Sequence, residues 1–512
     1  VKIVLDKSLA GVRAVVIGSG PAGLSAAVAL AARGARVRVL ERDALPGGRL
    51  APLGQAVPLA AIDPFVLQPH LLGQLFALAD LRLSDFVEFR PVEPVARLLL
   101  PSGETFHLHA DPARLADEIG RLAPASAERF LRDLPRWERQ ARAAEEQFLA
   151  QPGRGTARLR ALAGFPPAWP FLAGALRPGR LAARLRHRLP GAPLAEALEV
   201  LAARHGASTR RLAAGFLPIL FGELLHGCWV PAGGVAGVRD ALLRVCELLD
   251  IRIVTNASVE RIQLENDVVR HVAGQGFKTL RADLVVSTIG LRPTLEELLA
   301  PSEARARALR RLGRPRPARS AFLMGMRCTA SWETFDAPLT VLVPPDTDEM
   351  LRQLDDWQVP AARSPLFVTN LTVAAGGDPA GTETLLRVEA PMPPVSTRFR
   401  WSELTTRQER DRLVRRLEEA GGTGLGGAIA AEQVVTPAEL AERGWPAGSL
   451  HGETCHRRRG WLRRPGATVP EFRGLAFAGA DTHPGATLPM LVLGGMLAAE
   501  VAADTWPPGP PA

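Results

Sequence analysis

The residues of this chain that could do chemistry gather near its two ends. Gly18-Ser19-Gly20-Pro21-Ala22-Gly23 carries three glycines at the spacing of a phosphate-cradling loop. Gly18 permits a tight turn, Gly20 lets backbone approach a pyrophosphate, and Gly23 lets a helix pack on a strand. Pro21 and Ala22 open that helix, whose unpaired N–H groups form a positive end suited to an anion. Glu41 lies 21 residues after Gly20, where a carboxylate can accept from ribose hydroxyls and would repel a 2′-phosphate. Arg42 belongs to the same expected site. These residues call for a dinucleotide without choosing between NAD and FAD.

Two further features bear on the choice. Pro46-Gly47-Gly48-Arg49 offers backbone that a phosphate can approach and a cation to neutralise it. Far along the chain, Leu475-Ala-Phe-Ala478 reads as a buried strand that ends at Gly479 and Asp481, followed by a turn and a helix. In a long flavoprotein such an element reaches the ribityl chain and aims a helix N-terminus at the isoalloxazine edge. Asp63, Asp481 and His483 are the candidates for proton handling. Each has a structural reading beside it: Asp63 as a loop cap, Asp481 on ribityl hydroxyls, and His483 as a brace for its turn.

The elements that must position these residues follow from local pattern. Val12–Ile17 and Ala35–Leu40 read as strands around an Ala- and Leu-rich helix, Ala22–Arg33, which makes a βαβ unit. Helical patterning runs from about Asp111 to Ala150, and Pro166, Pro167, Pro170, Pro178 and Pro190 break residues 151–211 into short pieces. Val230–Gly237 reads as a glycine-rich turn opening a helix, Val238–Leu249, with strands at Ile251–Val254, Ser258–Gln263 and Leu284–Thr288. Arg305–Arg319 reads as a basic, proline-bearing connector, and Leu491–Asp504 as the last helix.

With 512 residues the chain is too long for one core. No apolar run is long enough to span a bilayer, and the four cysteines show no paired spacing, which suits a reducing, cytoplasmic setting. The net charge of +9 is matched by residues 151–211 alone, where eleven arginines face only Glu196 and Glu199. Ala168-Trp169-Pro170-Phe171-Leu172 sits beside Arg177, Arg180, Arg184, Arg186 and Arg188. That pattern describes a peripheral contact with an anionic membrane face, with a solvated basic face as the alternative. No stacking platform accompanies the charge, so nucleic acid is not the expected partner. His107 and His109 share a strand face without further ligands, so no metal is expected, and His456–Arg459 with Arg463 and Arg464 reads as a surface loop.

Taken together, the motifs resemble the bacterial-type phytoene desaturase family of carotenoid desaturases. The resemblance rests on Gly18–Gly23, Glu41 with Gly47-Gly48-Arg49, Val230-Pro-Ala-Gly-Gly234, Ala257-Ser-Val-Glu-Arg-Ile262, Gly444-Trp-Pro-Ala-Gly-Ser-Leu-His-Gly452 and Thr482-His-Pro-Gly485. It spans nearly the whole chain. It implies an α/β fold with a discontinuous Rossmann-like FAD-binding domain, a mixed α+β substrate domain and a helical, membrane-associating region. The expected division is residues 1–75, 229–300 and 436–512 for FAD, 76–228 for substrate and membrane, and 301–435 for substrate. It also implies FAD as cofactor, a hydrophobic polyene as substrate and a quinone or oxygen as electron acceptor. Val259 is then expected at the adenine through its backbone, and Gly479, Asp481, Pro489 and Met490 along the flavin. Leu488-Pro489-Met490 resembles the members that act on hydroxylated carotenoids.

The chain departs from the family in three places. Asp63-Pro64 stands for Gly-Pro, Asp481 for glycine, and Ala486-Thr-Leu-Pro-Met490 for Gly-x-Ile-Pro-Gly. The implied activity is insertion of double bonds into a carotenoid or related isoprenoid. A polyene isomerase or saturase, and a non-catalytic flavin- or carotenoid-binding homologue, are the alternatives.

Overall fold

The computed structural model describes residues 8–151, 160, 162–175, 179–454, 456 and 464–506. A five-stranded parallel sheet is assembled from distant pieces of sequence, in the order Leu475–Phe477, Leu284–Ser287, Arg13–Ile17, Arg36–Leu40 and Arg252–Val254. Its central strands are apolar on both sides because both faces are covered. Ala14 and Val16 face a core shared with the helices Pro21–Ala32, Gly234–Leu248 and Leu488–Thr505. Val15 and Ile17 face a second core with Ile262, Val272, Leu295 and Phe477.

The first and last helices meet at Gly495, where a Cβ would lie 2.3 Å from the Ala22 carbonyl oxygen. Only glycine lets the C-terminal helix lie this close behind the phosphate loop. The sheet therefore brings residues 18–23 and 479–490 to one edge, although more than 450 positions separate them.

A seven-stranded mixed sheet forms the second layer system, in the order Ile429–Val435, Ser320–Cys328, Thr384–Met392, Leu366–Asn370, Leu339–Leu342, Ala96–Leu99 and Thr105–Leu108. Helices between Pro112 and Leu225 pack over part of it through Phe106, Phe130, Phe171 and Phe221. Among the described residues no helix is long and apolar enough to cross a membrane.

Three expected elements are corrected. The stretch expected as a connector over Arg305–Arg319 contains a helix, Glu303–Leu312. Ser302 caps it by accepting from the Arg305 N–H, Ala304 and Ala308 are buried, and Gly313 ends it at φ +72°. Its prolines, 315 and 317, all lie beyond that glycine, so they do not interrupt the helix. The helix expected from Val238 starts at Gly234, preceded by a strand, Cys228–Pro231, so the turn is only Ala232-Gly233. The last helix begins at Leu488 rather than Leu491 because Pro489 is well placed in a first turn.

Candidate functional site

The phosphate loop follows directly from the strand Arg13–Ile17. Gly18 has φ +94°, and a Cβ on Gly23 would lie 2.0 Å from the Gly18 carbonyl oxygen. Gly20, the residue before the helix, supplies no capping side chain, and no acid lies in the first turn. The N–H groups at that end are left for an external anion. A second glycine pair faces the first: a Cβ on Gly48 would lie 2.9 Å from the Gly20 Cα. The loop and the Gly47-Gly48-Arg49 segment thus form one bare-backbone cradle.

Glu41 closes this cradle and is buried. Its Oε2 accepts from the Ser19 N–H at 2.8 Å and the Ser19 hydroxyl at 2.5 Å, and its Oε1 accepts from the Asp43 N–H at 2.9 Å. Ser19 Oγ in turn accepts from the Gly47 N–H at 3.0 Å. Ser19 therefore ties the loop, the strand end and the second glycine pair together, a role its position between two glycines did not signal. One lone pair of Glu41 Oε1 stays open for a ribose hydroxyl. Val259 is the second residue of the strand beside this point, Ser258–Glu265, and the Ala257 N–H just before it donates to the Glu41 carbonyl. Arg42 points away from the cradle, donating to the Arg443 carbonyl at 2.7 Å, so it fastens residues 436–444 to the nucleotide domain.

Arg49 is the cation of the site. It makes no protein hydrogen bond among the described residues, lies 6.0 Å over the Trp445 ring, and lines a cavity shared with Asp63, Arg204 and His451. Burial lowers its pKa to about 10, opposed by Asp481 and reinforced by Arg464. A largely desolvated guanidinium without a protein acceptor fits a phosphate. Across the same cavity, the helix Leu488–Thr505 begins without a side-chain cap, and the Oγ1 of Thr487 is buried with no partner among the described residues. That orphan hydroxyl and the open helix end supply donors for a polar ring edge. The bare cradle, Arg49 and Thr487 together fit FAD. Pro489 lines the cavity, whereas Met490 is buried, its Sδ filling the space over Gly485.

The three proton candidates separate. Asp63 lines the cavity, accepting from the Phe65 N–H at 2.8 Å and pairing with Arg204 Nε at 2.9 Å. Asp481 sits in the 479–485 turn, where its Oδ2 accepts from the Leu291 N–H at 2.6 Å. Burial pushes its carboxyl upward. The Nε2 of buried His483 lies 3.1 Å from both the Phe148 and Leu149 carbonyl oxygens, so the ring holds the 479–485 turn to the helical region. Neither Asp481 nor His483 is among the residues lining the cavity.

His451, unremarked in the sequence inside its Gly444–Gly452 motif, also lines the cavity. Burial, aided by Arg49, lowers its pKa to about 3, so it is neutral at pH 7.

Space rearranges the basic region. Arg188 is bidentate to Asp133, Arg186 pairs with Glu196, Arg204 with Asp63, Arg210 with Asp348 and Arg211 with Asp356. Acids from elsewhere in the chain neutralise much of what the linear count left as surplus. Ala168 and Phe171 are buried, Phe171 stacking on Phe148, while Trp169 and Phe165 are 57% and 45% exposed. The exposed apolar surface is therefore narrower than the expected five-residue patch, and Arg177 lies outside the described residues.

The expected surface loop at residues 456–464 needs a similar correction. His456 accepts from the Ser208 N–H at 3.1 Å, and buried Arg464 donates to the Ala480 and Glu453 carbonyls; residues 457–463 lie outside the described residues. His107 and His109 pair with Glu118 and Glu93. Burial raises the thiols of Cys228 and Cys246 to about 12 and that of Cys328 to about 11, so they behave as small apolar groups. Cys455 lies outside the described residues.

The profile of the family described as flavin containing amine oxidoreductase matches residues 21–503. The chain is 28% identical over 501 residues to a phytoene dehydrogenase of Streptomyces griseus, covering 95% of this chain and 94% of that one. It is 27% identical over 514 residues to an all-trans-zeta-carotene desaturase of Myxococcus xanthus, covering 96% and 92%. Among solved structures, an oxidoreductase from Methanosarcina mazei shares the fold with a TM-score of 0.63 at 17% identity, covering 95% of this chain and all of that one.

Proposed function

Because this chain belongs to the flavin-containing amine oxidoreductase family, we propose that it is an FAD-dependent oxidoreductase that introduces double bonds into a carotenoid or related isoprenoid polyene. The observation that carries the reading is end-to-end similarity to proteins named as carotenoid desaturases, joined to a cavity whose walls mix flavin-side residues with apolar ones. Arg49, Thr487, Leu488 and Pro489 line one part of it; Ala61, Ile62, Phe65, Leu67 and Leu450 line another.

Such a reaction asks little acid–base chemistry of the protein. FAD, when bound, supplies the acceptor for a hydride leaving a carbon beside the polyene. The glycine cradle and Arg49 would hold its pyrophosphate, Glu41 its ribose, and Thr487 with the helix end would offer donors to its ring. Apolar side chains orient the substrate and keep water out. Asp63 is the candidate positioned to receive the proton lost from the neighbouring carbon, with Arg204 fixing its carboxylate. Asp481 and His483 serve the turn rather than the substrate.

A lipid-stored substrate favours a peripheral membrane contact, and the exposed pair Phe165 and Trp169 is the apolar element that would enter the headgroup layer. A quinone or oxygen takes the electrons onward. The deciding experiment incubates FAD-loaded protein with acyclic carotenoids in liposomes, with a quinone or oxygen present. The expected product is red-shifted and lighter by two hydrogens per new double bond. An isomer of unchanged mass, or no product from any acyclic carotenoid, overturns the reading.

A further inference from the structure

Outside the flavin site, three elements far apart in sequence bring two imidazoles and a carboxylate to one point. His70 is the second residue of the helix Pro69–Ala77, Glu145 sits in a π-helical turn over Ala144–Leu149, and His226 ends the helix Leu217–Leu225. His70 Nε2 lies 2.5 Å from Glu145 Oε1, and His226 Nε2 lies 2.5 Å from Glu145 Oε2. The two rings are 4.4 Å apart. All three donor atoms fall within 4.8 Å of one another.

We propose that His70, Glu145 and His226 bind one divalent transition-metal ion of the zinc class. Two neutral imidazole nitrogens and one carboxylate are the donor types such an ion selects, and a set of three protein ligands leaves a fourth position for water. The side chains of His70 and His226 are 36% and 37% exposed, so ion and water can reach the site. Two neighbouring contacts hold the ligands. The Gln68 side-chain amide donates to Glu145 Oε2 at 3.2 Å, and the Trp229 indole N–H donates to the His226 carbonyl at 2.8 Å. Oxygen and nitrogen ligands about 2.1 Å from a tetrahedral ion stand about 3.4 Å apart. Admitting the ion therefore requires the two imidazoles and the carboxylate to part by about 1 Å, which the partly exposed His70 and His226 side chains can do.

The position gives the ion a structural consequence. The turn that carries Glu145 ends in the Phe148 and Leu149 carbonyls beside His483 Nε2. An ion tying this turn to His70 and His226 would hold one wall of the flavin turn from outside, without touching the cofactor.

The test is metal binding by the FAD-loaded, full-length protein, stripped with a chelator and dialysed against Zn²⁺ alone. One zinc per chain is expected, with the affinity read by competition against a chromogenic chelator. E145Q and H226N should each weaken binding by about 100-fold or more, while H107N, at the other close histidine pair, should leave it unchanged. Zinc should raise the melting temperature of the native protein and not that of E145Q. Flavin absorbance shows that each variant is folded. Absence of stoichiometric zinc on the native protein, or equal binding by folded E145Q or H226N, overturns the site.

Discussion

The Oδ2 of Asp63 lies 2.9 Å from Nε of Arg204, at the edge of the cavity that also contains Arg49 and Pro489. Arg204 is almost fully buried, its guanidinium 5.7 Å over the Phe65 ring. Burial works against its charge, and Asp63 together with Cys228 and Glu223 more than offsets it. The acid and the guanidinium thus form a unit.

That unit makes a stability prediction. Arg204→Met leaves Asp63 half-buried without its partner and should cost about 3 kcal/mol in denaturant unfolding of the FAD-loaded protein. The double variant Asp63→Gly with Arg204→Met removes both charges and should recover most of the loss. A single variant as stable as the native protein would show that the pair contributes nothing.

The cofactor cradle can be probed at two positions. Gly23→Ala places a methyl 2.0 Å from the Gly18 carbonyl oxygen, so the loop must distort and the protein should purify without flavin. Glu41→Ala removes the acceptor of the Ser19 N–H and hydroxyl. FAD affinity should fall about 10- to 100-fold, equivalent to one charge-assisted hydrogen bond of about 1.5–3 kcal/mol. Both are read from flavin absorbance after dialysis, and full retention in Gly23→Ala would contradict the assignment of the loop.

Acid should loosen the join between the helices Pro124–Ala143 and Leu181–Arg188. The bidentate hydrogen bond from Arg188 holds the Asp133 carboxyl below its ordinary range. A depressed carboxylate contributes stability above its unfolded pKa and loses it as pH falls through the folded value. Asp133→Asn should thus be less stable than the native protein by about 1 kcal/mol at pH 7, with the gap closing below about pH 4. A gap that persists at pH 3 would assign the effect to packing instead.

Vesicle flotation tests the membrane contact. Phe165→Ser with Trp169→Ser should weaken binding to anionic liposomes, and high salt should weaken binding of the native protein. Equal flotation of both proteins would place the contact elsewhere.

Much of the nucleotide half was legible in the sequence, because its signals are local. A glycine loop between a β-branched strand and an alanine-rich helix, and an acid at the next strand end, are short-range patterns with one physical solution. The family followed from the order of such patterns along the chain. What only tertiary structure decided is which side chains meet across long sequence distances. Ser19 became a junction because Glu41 and Gly47 come to it. Asp481 and His483 turned from the cavity because Leu291 and the Phe148–Leu149 carbonyls engage them. The surplus of arginines between residues 151 and 211 shrank because its counter-charges, Asp133, Asp348 and Asp356, lie outside that stretch. The convergence of His70, Glu145 and His226 left no trace in spacing. Charge and coordination act through distance in space, which linear order does not encode, whereas turn geometry and helix propensity act between neighbours, which it does.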